Sequence, residues 1–191
     1  VSGISQEWTD AISRHHGELD EQDHLSAINT LAEESWVDEN RLGVTGASYG
    51  GFSVYHFMGT HNKRFKAMIA HCGIFDFQSM YTTTEEMFFE QWEKGGPIWE
   101  VPGNKELQRV YAQSPINFVK KWDTPLMVIH GGRDYRVPYA QGMAAFNAAQ
   151  MMGIPSKLVY FPEENHWVLK PQNAIVWQRE FFSWFDKYLK K

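Results

Sequence analysis

The chain has 191 residues, enough for about one domain, and a folded chain of that size buries roughly 70% of its extended surface. Its 18 basic and 23 acidic side chains leave a net charge of −5, which argues against a nucleic-acid partner, and a 43% hydrophobic content excludes wholesale disorder. The single Cys excludes an internal disulfide and a Cys-based zinc cluster, and no apolar run reaches the ~18 residues of a membrane-spanning helix.

In chain order, residues 19–35 carry apolar positions at Leu25, Ile28, Leu31 and Ala32, a helical spacing. Leu42 to Gly46 reads as a short buried strand, and residues 49–60 as a helix whose first turn is weakened by Gly50 and Gly51. Ala67 to His71 is a second strand. Pro125 to His130 is a third, with Pro at its first position, where a missing N–H is tolerated. Residues 139–152 are helical up to Gly153, with Pro155 beyond. Lys157 to Phe161 is a fourth strand, and Asn173 to Leu189 a closing helix. Strands alternating with helices predict an α/β fold with a parallel sheet.

The span between the second and third strands, about residues 74–123, is long for such a unit. Spans of that kind are usually functional. It holds Phe75, Phe77, Tyr81, Phe88, Phe89, Trp92, Trp99 and Trp122, which could equally pack a satellite core. Thr83 followed by Glu86 has the spacing of a capping box.

Gly46-Ala47-Ser48-Tyr49-Gly50 matches G-x-S-x-G between a strand and a helix, the context of a nucleophile elbow. A sharp, strained turn needs flanking side chains to be nearly absent. Gly46 and Gly50 are expected to supply that room, with the Tyr49 N–H at the helix start facing the reacting oxygen. A hydroxyl needs a base, and the base an orienting acid. Asp134 follows the third strand and His166 the fourth, which gives the chain order Ser, Asp, His. Asp76, after the second strand, is the alternative acid. The remaining histidines and Cys72 read as structural or surface groups.

These residues resemble the C-terminal part of a prolyl oligopeptidase-family serine peptidase, in the acylaminoacyl-peptidase and dipeptidyl-peptidase branch. The likeness runs through Ser5 to Ala11, Trp36 to Phe52, Arg64 to Ala67, Ser114-Pro115, His130 to Pro138, and Asn165 to Trp167. It implies an α/β-hydrolase fold and a Ser48–Asp134–His166 triad, with no metal or cofactor. It also implies a substrate side-chain pocket at Tyr49, Ile74, Phe77 and Val137. Arg136 is expected at the mouth, either on a substrate carbonyl or in a surface ion pair.

The resemblance implies a peptide substrate and acyl-enzyme chemistry. A carboxylesterase on the same fold is one alternative, and an inert fragment or binding module another. The chain opens on Val1 and shows about four of the roughly eight strands of that fold. Residues 1–191 are therefore expected to form a partial catalytic domain. The earlier strands, the family's second oxyanion donor and its gating β-propeller would be missing. The first strand would then expose an edge, to be covered by residues 1–18, by a second copy of the chain or by strand addition. Localisation stays open between cytoplasm and periplasm.

Overall fold

The computed structural model describes residues 5–190. Eight α-helices and four strands follow in chain order: α1 (Gln6–Ile12), α2 (Leu19–Ala32), β1 (Gly43–Ala47), α3 (Tyr49–Thr60), β2 (Ala67–His71), α4 (Phe77–Thr83), α5 (Met87–Lys94), α6 (Lys105–Ala112), β3 (Leu126–Gly131), α7 (Ala140–Met151), β4 (Ser156–Phe161) and α8 (Pro171–Leu189). Short 3₁₀ turns link several of them. All four strands are parallel, in the order β1-β2-β3-β4, with Ala47 opposite His71 and His71 opposite Ile129.

β2 and β3 are buried along their whole length, as expected of central strands covered on both faces, and each is an apolar run that ends at a histidine, His71 or His130. One face packs on α3 and α7 through Val54, Met58, Met68, Val128 and Ala145. The other packs on α8 through Ile69, Met127, Ile129 and Trp184. A smaller cluster at the end of the sheet joins Phe52, Ile74, Phe77, Met80, Leu107, Tyr111 and Val137.

Helix starts follow local chemistry. Asp76 caps α4, Asn104 caps α6 and Pro171 opens α8. The expected capping box does not form. Thr83 ends α4 with its hydroxyl on the Ser79 carbonyl, and it is the Thr84 hydroxyl that accepts from the Glu86 N–H.

The long span divides its aromatics. Phe75, Phe77, Tyr81 and Trp122 are buried, whereas Phe88, Trp92 and Trp99 stand out in solvent. Among the described residues no strand lies beyond β1, and the groove beside it is lined by Leu31, Trp36, Val44 and Leu189. Residues 5–18 do not cover that edge. They run to α5 and α6, where Arg14 N–H donates to the Glu93 carbonyl and the Arg14 guanidinium pairs with Glu106. Residues 1–4 lie outside the described part.

Candidate active site

Ser48 sits on the turn from β1 into α3 with φ 59° and ψ −117°, a backbone that L-residues rarely adopt. The turn closes because three glycines let backbones touch. A Cβ on Gly46 would lie 2.2 Å from the Gly50 carbonyl oxygen, and one on Gly51 would lie 2.6 Å from the Gly73 Cα. Gly50 itself has open space where a Cβ would be, so the expectation that its missing side chain makes the room is corrected. What Gly46 must avoid is the backbone of Gly50.

The structure brings Ser48, Asp134 and His166 together. His166 Nδ1–H donates to Asp134 Oδ2 at 2.8 Å, and Nε2 lies 2.8 Å from Ser48 Oγ. The supporting loops touch by backbone. A Cβ on Gly131 would fall 2.1 Å from the Asn165 carbonyl oxygen, and Arg133 N–H donates to the Glu164 carbonyl. Asp134 Oδ1 accepts from the N–H groups of Val137 and Arg136 at 2.9 and 3.1 Å. Glu164 shapes the loop that carries His166, accepting from the Leu169 and Lys170 N–H groups and from Asn173.

Burial opposes the charge on Asp134. Hydrogen bonds from His130, His166 and the Val137 N–H outweigh it and hold the carboxyl well below the usual carboxylate range. His71, at the end of β2, is pushed down to about 4 by burial and by the neighbouring His130 and His166. Burial pushes the Cys72 thiol up to about 12. Cys72 Sγ lies 3.9 Å from His166 Nε2, and these two residues with Asp134 group their donor atoms within 4.8 Å. A metal would need the thiolate, which this burial disfavours, and both His166 nitrogens already face partners.

The other expected residues fall as follows. Ile74, Phe77 and Val137 share one cluster, with Tyr49 packed against it. Phe77 and Val137 are only 1% and 2% exposed, so these side chains pack on one another rather than open into a slot. The Tyr49 N–H is the first of α3, where no helical acceptor exists, and the Tyr49 hydroxyl donates to Asp20 at 2.9 Å. Arg136 makes the ion pair, Nε to Glu86 at 3.0 Å, on the rim of a groove that also holds Asp134, His166 and Trp167. Asp76, the alternative acid, caps α4 instead.

A sequence profile of the prolyl oligopeptidase family matches residues 1–191. The chain belongs to the prolyl oligopeptidase family. It is 51% identical over 191 residues to dipeptidyl-peptidase 5 of Porphyromonas gingivalis, covering 100% of this chain and 28% of that protein. It is 36% identical to dipeptidyl-peptidase 5 of Schizosaccharomyces pombe, over 99% of this chain and 27% of that one. Acylaminoacyl peptidase of Pyrococcus horikoshii superposes with a TM-score of 0.88 at 26% identity, over 99% of this chain and 31% of that chain. An acylaminoacyl peptidase solved with Z-Gly-Gly-Phe-chloromethyl ketone gives the same score and identity, over 99% of this chain and 30% of that chain. The chain thus spans about a quarter to a third of the length of these relatives, and its fold is the α/β-hydrolase fold.

Within this family member two further side chains support the site: His130, expected as a structural or surface group, and Gln141, which the sequence did not single out. His130 is buried, donates Nε2–H to the Val137 carbonyl at 2.7 Å and comes within 3.4 Å of Asp134 Oδ2. Gln141 accepts from the Phe75 and Asp76 N–H groups and so holds the loop after β2. Position His130, four residues before Asp134 at a strand end, was the available signal for the first. Gln141 lies inside a helical pattern and gives none.

Proposed function

We propose that this chain carries the catalytic apparatus of a serine peptidase that hydrolyses short peptides through an acyl-enzyme. The observation that carries the reading is the continuous hydrogen-bonded line from Ser48 Oγ through His166 to Asp134, assembled from three separate strand ends. With Nδ1–H committed to Asp134, Nε2 is the free base. It takes the Ser48 proton as Oγ attacks the scissile carbonyl carbon. The carbonyl oxygen becomes an oxyanion, and the Tyr49 N–H at the start of α3 is a donor for it. His166 then returns the proton to the leaving amine, and water repeats the sequence to release the acid. Asp134 stays ionised and holds the ring in the tautomer the cycle needs.

The relatives' names, dipeptidyl-peptidase 5 and acylaminoacyl peptidase, support a peptide substrate. A carboxylesterase would use the same three groups, so substrate chemistry decides between them. The test is turnover by the full-length protein of a short peptide amide and of the matching p-nitrophenyl ester. Hydrolysis of both, lost together in Ser48→Ala, is expected. Turnover of the ester alone makes it an esterase, and undiminished activity in Ser48→Ala overturns the reading.

A further inference from the structure

A solvent-open cavity of about 280 Å³ lies on the α8 side of Ser48. It is lined by Ala47, His71, Trp167, Val168, Ala174, Trp177 and Gln178. Ala47 is bonded to Ser48 and Trp167 to His166, so each reacting side chain is one residue from it. The Trp167 indole meets both histidines edge-on, with ring centroids 5.0 Å from His166 and 6.4 Å from His71. None of these residues belongs to the cluster of Tyr49, Ile74, Phe77 and Val137, which packs against α4 and α6. Ser48 therefore has two distinct sides.

Chemistry assigns the second side. When the peptide bond breaks, the leaving nitrogen must lie within hydrogen-bond reach of His166 Nε2 to receive its proton. The Cα and side chain of the leaving residue are then next to Trp167. We infer that this cavity receives the side chain of the residue on the amine side of the scissile bond, and that it selects a large apolar one such as Leu or Phe. The inference rests on the serine peptidase reading of Ser48 and His166. Two indoles, a valine and two alanines make the lining mainly apolar, with Gln178 beside them, and the space is large enough for a Leu or Phe side chain. No Lys, Arg, Asp or Glu lines it, and His71 is held neutral at working pH by its burial. The polar groups there, Gln178 and the neutral His71, carry no charge to pair with a charged side chain.

The experiment uses the full-length protein and peptides identical on the acyl side, with Gly, Ala, Leu or Phe as leaving residue, cleavage being followed by mass spectrometry. Leu and Phe are expected to exceed Gly in kcat/KM by about 10-fold or more. Ala174→Phe fills the cavity from α8, and the Phe-to-Gly ratio should fall to about one. If that variant does not fold, Trp177→Ala removes a wall instead of adding bulk and should also lower the ratio. A ratio near one in the unsubstituted protein overturns the inference, as does a ratio unchanged in both variants. Loss of thermal stability with no change in leaving-residue preference also overturns it, because the cavity is then filled by another part of the protein. Ser48-dependent hydrolysis that ignores the leaving residue defeats this inference alone. Hydrolysis that persists in Ser48→Ala defeats the reading beneath it.

Discussion

Gly46 and Gly50 meet backbone to backbone, so that a Cβ on Gly46 would lie 2.2 Å from the Gly50 carbonyl oxygen, while a Cβ on Gly50 would meet nothing. The two glycines of the motif therefore have different tolerances. Gly46→Ala must push β1 and α3 apart and should cost about 3 kcal/mol or more. Gly50→Ala, in the first turn of α3, should be neutral or stabilising by up to about 1 kcal/mol. Urea unfolding of both variants checks the contrast.

The strained backbone of Ser48 predicts a trade between stability and activity. Its φ of 59° with ψ of −117° suits glycine far better than serine. Ser48→Gly should abolish hydrolysis and raise stability by about 1 kcal/mol, read as an increase in Tm. A lower Tm would mean that the Ser48–His166 hydrogen bond outweighs the strain.

Asp134→Asn should keep the fold and lose turnover. The amide oxygen can still accept from Val137 and Arg136, but an NH₂ group facing His166 Nδ1 forces the ring proton onto Nε2, which then cannot accept from Ser48. A fall of about 10,000-fold in kcat with little change in Tm is expected.

His71 gives a pH dependence of stability. The unfolded chain binds its proton near 6.5, whereas burial holds the folded group down to about 4. Between those values the unfolded state binds more protons, so stability falls as pH drops from 6.5 to 4, by up to about 3 kcal/mol from this group. Burial also lowers His16 and His61, which act in the same direction. His71→Gln should therefore shrink the loss between pH 6.5 and 4 without removing it. Unfolding free energies at the two pH values, compared with the unsubstituted protein, read the difference.

The sequence showed clearly what depends on period and order. β2 and β3 are apolar up to His71 and His130, and they stand within one residue of expectation. Ser48, Asp134 and His166 follow strand ends in a chain order that one fold uses. What stayed hidden depends on direction in three dimensions. No pattern says that Gly51 meets Gly73, that Phe88, Trp92 and Trp99 face outward while Phe77 faces inward, or that Ile74, Phe77 and Val137 pack shut. The sequence left Arg136 between two roles. Its ion pair with Glu86 became visible only when α5 was placed beside the loop after Asp134.

The most direct test of the proposed chemistry is labelling of the folded protein with a fluorophosphonate, with the adduct mapped by mass spectrometry. Phosphonylation needs a hydroxyl activated by a poised base. A single adduct on Ser48 that is lost in His166→Ala is expected. No adduct on a correctly folded protein, or one that survives the loss of His166, would contradict that chemistry.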